Sequence, residues 1–322
     1  MTPIPVTTKS ISHAVELLKI GRLVAFPTET VYGLGADASN PDAVAKIFAA
    51  KGRPIDHPVI VHLARAAQIY DWAESVPDTA LILAEAFWPG PLTIILNKNA
   101  QVSLAVTGGQ NTVALRIPAN PVALQLLEAF GNGIAAPSAN RFGHISPTQA
   151  GHVAEELGDS VDCILDGGPC SVGVESTIID LTDTHPTLLR PGRITRSQLK
   201  NVLHTEIRLS SQNKIRAPGL LAVHYAPHTM ALLCPAETLI AMVDEMCSKG
   251  KNIGILAFSD VIAALPCPHL IQLPECAEHY ETALYSALRE LDNLQLDTIL
   301  IEQPPDHEAW AAVNDRLNKA TV

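Results

Sequence analysis

Eight short runs of mostly aliphatic residues, three to six long, are strung along the first 190 positions of the chain. They are Leu23–Phe26, Val59–Leu63, Leu92–Leu96, Thr112–Arg116, Ile134–Ala136, Cys163–Asp166, Ser176–Leu181 and Thr187–Arg190. All are too short for helices and read as strands. Between them stand helix signals. Asn40-Pro41, Asn120-Pro121 and Ser146-Pro147 each place a capping side chain before a proline suited to the first helical position. Thr195 with Gln198 forms a capping box, and Gly21, Gly131 and Gly158 stop apolar-periodic segments. Helices and strands alternate at first and strands then accumulate, which predicts an α/β fold with a twisted mixed sheet and helices packed on it. Aromatics make up only 4% of the chain, so the core is built from Ala, Val, Ile and Leu, as suits strands covered by helices.

At 322 residues the chain is long enough for about two domains. Periodicity lapses over 206–228, in a stretch of Ser, Asn, Lys, Pro and Gly, and this reads as a linker. Regular alternation then resumes. Strands at Met230–Leu233, Ile253–Phe258, Leu270–Leu273 and Thr298–Glu302 are interleaved with helices at Ala236–Lys249, Glu278–Leu291 and His307–Lys319. The expectation is a first domain over 1–205 and a small three-layer, Rossmann-like α/β domain over 229–322.

With 22 basic and 33 acidic side chains the net charge is −11, which argues against a protein that coats nucleic acid. The six cysteines show no CxxC pair and no zinc-ligand spacing, so no protein-held metal is expected and the thiols suit a reducing compartment. The longest charge-free stretch, Ala217–Ala236, carries three prolines and two histidines, which does not suit a membrane span. A cytoplasmic location is expected. There is no GxxxxGK[ST] loop and no GxSxG elbow. Gly33-Leu-Gly35-Ala-Asp-Ala38 matches GxGxxA, but the next helix starts too late for the glycines to open it. His224 and His228 have helical zinc spacing, yet Pro227 lies between them.

Four polar loops remain, each beside a strand: Pro27–Gly35, Lys51–Pro58, Pro137–Arg141 and Glu175–Thr177 with Arg190-Pro-Gly-Arg193 downstream. Six basic residues of an acidic protein lie in such Gly-, Pro- and Ser-rich segments: Lys51, Arg53, Arg116, Arg141, Arg190 and Arg193. Lys and Arg two apart, beside hydroxyl and amide donors, are what a polyphosphate needs where no Walker loop exists. Their position at strand ends is where ligands of α/β sheets collect.

The same segments carry a family resemblance. Pro27-Thr-Glu-Thr-Val-Tyr-Gly-Leu-Gly35, Lys51-x-Arg53-Pro, Pro137-Ser-Ala-Asn140 and Glu175-Ser-Thr-Ile178 closely resemble the YrdC-like (Sua/YciO/YrdC) domain. Pro218-Gly219 with His224-Tyr-Ala-Pro227, and Asn314-Asp-Arg-Leu-Asn-Lys319, resemble the long two-domain form of that family. The resemblance implies L-threonylcarbamoyladenylate synthesis: L-threonine, bicarbonate and ATP give threonylcarbamoyl-AMP and pyrophosphate. Mg²⁺ would accompany the triphosphate, and a downstream tRNA threonylcarbamoyl transferase machinery would receive the product, with at most a weak tRNA contact by this chain.

Carried over by position, Lys51, Arg53, Ser138 and Asn140 match the phosphate and nucleotide contacts, while His57, Thr112, Ser146 and Arg190 fall where ATP is held. Thr30, His62, Arg116, Ala136 (through its backbone) and Ser176 fall where threonine is held. Arg116 is the natural bidentate partner for the amino-acid carboxylate. Two departures stand out. Asp56-His57-Pro58 replaces a more usual Asn-Pro-Leu, and the linker lacks basic residues just before His224-Tyr225, which leaves that pair to supply any phosphate contact. The linker is read as a gate over the nucleotide, with Leu220–Val223 as its apolar part. Two rival readings are an RNA-binding module without catalysis and a synthase of a different carbamoyl adenylate.

Overall fold

A computed structural model describes residues 1–210, 215–221, 224–265 and 267–321. Its contacts divide the chain into two units. The first holds Met1–Phe142, Pro147–Ser171 and Glu175–Leu220, and the second holds Gly143–Ser146, Val172–Val174 and Leu221–Val322.

The strands of the first unit are β1 (Ile4–Pro5), β2 (Val24–Phe26), β3 (Gly33–Asp37), β4 (Ile60–His62), β5 (Leu92–Asn97), β6 (Thr112–Arg116), β7 (Ile134–Ala135), β8 (Cys163–Asp166), β9 (Thr177–Asp180), β10 (Thr187–Arg190) and β11 (Arg208–Leu209). Among the described residues they form one mixed sheet in the order β1-β8-β2-β3-β7-β4-β6-β5-β9-β10-β11. Its helices are α1 (Thr8–Lys19), α2 (Pro41–Lys51), α3 (Ile69–Trp72), α4 (Asp78–Phe87), α5 (Leu104–Thr107), α6 (Pro121–Phe130), α7 (Ala150–Leu157) and α8 (Arg196–Leu203). The start signals work as the sequence implies at α2 and α6, where the Asn40 and Asn120 side chains each accept from two backbone N–H groups. The Thr195 capping box opens α8. Ser146-Pro147 starts no helix. The chain stays extended to Gln149, α7 begins at Ala150, and the Pro147 carbonyl accepts from Tyr32 N at 2.8 Å instead.

Alternation along the strands separates two faces. Val61, Leu115 and Ile94 join the large core with residues of α2, α4, α7 and α8. On the other face, α1 and α6 pack over Val24, Phe26, Ile134 and Leu165. The neighbouring part of that face is an apolar floor of Ile60, Ala114, Ile95, Ile178 and Leu189, packed by Ile215, Ala217 and Leu220.

Gly33 and Gly35, expected in a loop, lie inside β3, which pairs antiparallel with β2. Their lack of a side chain makes room for the Phe26 ring. A Cβ on Gly35 would stand 2.8 Å from Phe26 Cε1 and 2.9 Å from Ile134 Cγ2. The GxGxxA match therefore reflects close packing on a strand. The 206–228 segment also differs from a plain linker: Arg208–Leu209 is β11, parallel to β10, and the first unit continues to Leu220. Residues 211–214 and 222–223, the latter in the apolar part assigned to the gate, lie outside the described residues.

The second unit holds β12 (Ala231–Cys234), α9 (Ala236–Ser248), β13 (Ile253–Ala257), α10 (Asp260–Ala263), β14 (Leu270–Gln272), α11 (Ala277–Asp292), β15 (Thr298–Glu302) and α12 (Ala311–Ala320). Its sheet runs β12-β15-β13-β14 and is parallel throughout, with a core that includes Leu239, Val243, Ile255 and Leu300. Among the described residues no helix is long and apolar enough to cross a membrane.

Gly35→Ala is expected to lower stability by about 1–3 kcal/mol through overpacking against Phe26 and Ile134. The urea midpoint measures it; an unchanged midpoint would show that the ring yields freely.

Candidate active site

The register of the first sheet lines up functional side chains across several strands. His62 pairs with Arg116 across β4 and β6. Thr93 comes one residue before the Ile94–Leu115 pair of β5 and β6, and it pairs with Ile178 of β9. Ile178 in turn pairs with Arg190 of β10. The row therefore reads His62, Arg116, Thr93, Ile178, Arg190, beside the apolar floor.

Arg116 is its centre. Buried, it donates from Nη1 to Thr30 Oγ1 (2.9 Å) and from Nε to Gly90 O (3.3 Å). Its Nη2 lies 2.7 Å from Glu29 Oε1 in an ion pair that lacks in-line hydrogen-bond geometry. Glu29 is anchored in turn, its Oε2 accepting from Ala119 N at 3.0 Å. The loop carrying Glu29 and Thr30 is shaped by Thr28, whose hydroxyl contacts Thr30 Oγ1 (2.8 Å) and donates to Val31 O (2.6 Å). Of the five guanidinium N–H groups, Nε–H and one on Nη1 are engaged by hydrogen bonds. The rest face Glu29 or remain available to a carboxylate.

On the far side of the row, Thr93 and Ser176 hydroxyls lie 2.7 Å apart. Arg190 wraps Ser176, donating to its carbonyl from Nε (3.0 Å) and Nη2 (2.9 Å) and to its hydroxyl from Nη2 (3.1 Å). Its Nη1 donates to Pro218 O at 2.9 Å. Arg190, expected at ATP, thus organises Ser176 and the segment after β11.

His62 is buried, and its Nδ1 has no hydrogen-bond partner among the described residues. Burial, reinforced by the Arg116 charge, pulls its pKa down to about 3. It is a neutral imidazole at physiological pH, fit to accept or donate a hydrogen bond and unfit as a general base. Ala136 N donates to Ile60 O (2.9 Å), so a backbone contact from Ala136 to a ligand falls to its carbonyl.

The nucleotide candidates gather at the other end of β4 and β6. Thr112 precedes Arg116 by four strand residues, about 13 Å. Lys51, at the end of α2, donates Nζ to Ser138 O (2.6 Å) and Asn140 O (2.5 Å). Burial and the neighbouring Arg53 charge push its pKa well below the ordinary lysine value. One of its three donor positions is left for an anion. Arg53 donates to Pro58 O (2.8 Å) and lies 6.0 Å over the Phe142 ring, against which His57 also packs at 5.4 Å. The Ser138 loop is tied to the threonine loop by Ala139 N to Tyr32 O and Leu34 N to Pro137 O, both 2.8 Å. Among the described residues no group of three His, Cys, Asp or Glu side chains is placed to hold a metal ion.

Ser146, His224 and Tyr225 belong to the second unit. Ser146 is buried, and the Tyr225 ring is enclosed there by Tyr285 and Arg316. Sequence reasoning gave no role to Glu29 or Thr93. The signals were present: a carboxylate between two threonines of the first loop, and a lone hydroxyl in the aliphatic Leu92–Leu96 run.

Residues 16–192 match the Sua5/YciO/YrdC family model, described as telomere recombination, and 194–322 match the threonylcarbamoyl-AMP synthase C-terminal domain. The chain belongs to the Sua5/YciO/YrdC family. It is 41% identical over 319 residues to the threonylcarbamoyl-AMP synthase of Pyrococcus abyssi, covering 96% of this chain and 93% of the relative. Identity to the Bacillus subtilis threonylcarbamoyl-AMP synthase is 43%, covering 96% and 92%. Among solved structures, P. abyssi Sua5 complexed with L-threonine superposes with a TM-score of 0.93 at 40% identity, covering 99% of this chain and 97% of that one. E. coli YciO, at 26% identity and a TM-score of 0.52, covers 59% of this chain and 92% of its own. The mixed sheet with helices is thus the fold of this Sua5/YciO/YrdC chain.

Because His62 titrates near pH 3 when folded and near 6.5 when unfolded, the unfolded chain binds the extra proton between those values. His62 therefore costs stability progressively as pH falls below about 6.5. His62→Gln is expected to flatten this part of the urea midpoint against pH; a slope identical to wild type would show that His62 titrates alike in the folded and unfolded chain.

Proposed function

We propose that this Sua5/YciO/YrdC chain is an L-threonylcarbamoyladenylate synthase, and hence a nucleotidyltransferase, using L-threonine, bicarbonate and ATP. The observation that carries the reading is the Arg116 centre, with Thr30, His62 and Ser176 around it on one sheet face, in a chain about 41% identical to synthases over nearly its whole length.

The chemistry needs no protein nucleophile. The threonine amine is carboxylated by bicarbonate, forming an N–C bond as a C–O bond breaks and water leaves, and a carbamate oxygen then attacks the α-phosphorus of ATP, forming the acyl-phosphate bond as pyrophosphate leaves. Positioning and charge neutralisation do the work. Arg116 takes the threonine carboxylate through the N–H groups left over by Thr30, Gly90 and Glu29, while Thr30 and Ser176 hydroxyls and the neutral His62 imidazole meet its polar groups. Lys51, Arg53, Ser138 and Asn140 serve the phosphates, with His57, Thr112, Ser146 and Arg190 on the nucleotide. Mg²⁺ arrives on the triphosphate, whose charge it offsets. The product passes to the tRNA threonylcarbamoyl transferase machinery of a cytoplasm.

The segment before Leu221 serves as a cover. Ile215, Ala217 and Leu220 lie on the apolar floor. Arg216 clasps the unit by donating from Nη2 to Gly108 O (2.6 Å), while its backbone exchanges two hydrogen bonds with the Gln110 amide (2.7 and 2.9 Å). Such a cover excludes water from a hydrolysable adenylate, and the His224–Tyr225 pair is assigned to ATP.

Arg53→Ala is expected to lower threonine-dependent pyrophosphate release by at least ~10²-fold, the scale of one transition-state charge contact. Wild-type release would remove the phosphate clamp from the mechanism. If no pyrophosphate is released from ATP by the wild type, and RNA binds with a steep salt dependence, the chain is an RNA module instead.

Threonine is expected to be preferred over serine by about 10–200-fold, the worth of one methyl group. α-Aminobutyrate, lacking the hydroxyl, should be rejected more strongly because a buried polar partner is left unpaired. Equal turnover of all three, read from pyrophosphate release, would displace the pocket from the Arg116 row.

A further inference from the structure

We infer that the second unit contains a dock for the end of the linker, and that Tyr285 and Arg316 are positioning residues that act through Tyr225. This rests on the proposed role of the His224–Tyr225 pair at ATP.

Several independent features of the second unit converge on Tyr225. Its backbone has φ +65°, in the left-handed region that a bulky side chain adopts only when its surroundings hold it there. Its ring is 1% exposed. One side stacks on Tyr285 of α11, with centroids 5.9 Å apart and planes 29° from parallel. The Arg316 guanidinium of α12 lies 5.3 Å from the ring centroid. Removed from water, such a cation–π contact is stronger than at a surface. Arg316 is itself fully buried and ion-paired with Asp315 at 2.5 Å, and Lys319 pairs with the same carboxylate at 2.5 Å.

The flanking chain is fastened too. His224 N donates to Lys319 O (3.0 Å) and its ring meets Tyr225 edge-on at 4.1 Å, while Ala226 N donates to Gly143 O (2.9 Å). This arrangement is costly if its only purpose is to tether two units. A surface linker needs neither a buried arginine nor a strained tyrosine. The geometry suits a seat: an aromatic side chain clamped between one ring and one cation, on a backbone that relaxes when the ring leaves. Such an element has two states, seated and unseated, and the α11–α12 pair biases the balance toward the first. Tyr285 and Arg316 then contribute to the reaction by holding the pair in place, with no contact of their own to substrate.

The test uses the full chain with Tyr225→Phe, Tyr225→Ala, Tyr285→Leu and Arg316→Lys, the last keeping the charge opposite Asp315. Three quantities are read: the rate of limited proteolysis within 206–228, kcat and KM for ATP in pyrophosphate release, and the thermal midpoint. Tyr225→Phe keeps the ring and should keep wild-type linker cleavage and thermal midpoint. Tyr285→Leu and Arg316→Lys should each raise linker cleavage about tenfold, equivalent to ~1.4 kcal/mol of seating, and raise KM for ATP more than they lower kcat. Added to Tyr225→Ala, neither should raise cleavage further. Should Arg316→Lys unfold the second unit, Tyr285→Leu carries the comparison. Wild-type cleavage in Tyr285→Leu and Arg316→Lys, with faster cleavage in Tyr225→Ala, overturns the dock. If Tyr225→Ala speeds cleavage but leaves KM for ATP unchanged, the dock stands and the ATP-side role of the pair fails.

Discussion

A buried positive charge governs the first unit. Arg116 sits at the end of β6 with its guanidinium out of water, a position that would be strongly destabilising without a counter-charge and hydrogen-bond acceptors. Glu29 supplies the charge, and Thr30 and Gly90 supply the acceptors. These groups come from two loops remote from β6 in sequence, so satisfying Arg116 fixes both loops. Glu29 reaches on to Ala119 and closes the circuit onto the start of α6. The guanidinium is thereby held in place, and the cost of ordering it has been met in folding.

The sheet extends this order sideways. His62, Arg116 and Thr93 share a face with the apolar floor because side chains alternate along each strand. A one-residue slip of β4 or β6 would turn His62 or Arg116 into the core that α2 and α4 cover, so core packing and site geometry enforce the same register. The floor beside the row has no polar side chain to pair with water, and the segment over it offers Ile215, Ala217 and Leu220. The polar row and the segment over the floor thus occupy adjacent areas of one surface.

Much of this was readable in the residues. Asn40, Asn120 and Thr195 announced their helices because a capping side chain acts within one turn, and local rules capture local physics. The aliphatic runs became strands within a residue or two. Ser146-Pro147 failed as a helix start because the Pro147 carbonyl is claimed by the distant Tyr32 N–H, a tertiary effect with no local trace. β3 was missed for a related reason: Gly33 and Gly35 look like loop residues until Phe26 is seen lying across them. At the site, the polar residue types of the loops were legible. The partners were not. Arg190 wraps Ser176, Lys51 braces the Ser138 loop, and Tyr225 is enclosed by Tyr285 and Arg316, all through contacts between residues far apart in the chain.

The row from His62 to Arg190 also has a consequence in time. Its members are delivered by strands separated by helices and long loops, and β9 and β10 come last. Contacts between residues so distant in sequence are slow to form, because chain entropy must be lost before they stabilise anything. During synthesis the Arg116 centre is complete in composition well before Ser176 and Arg190 emerge. A growing chain therefore holds half a site, with a buried-charge pair waiting for its neighbours. The row is complete only when the β9–β10 hairpin joins it, so its full set of polar side chains is among the last features this unit acquires as it folds.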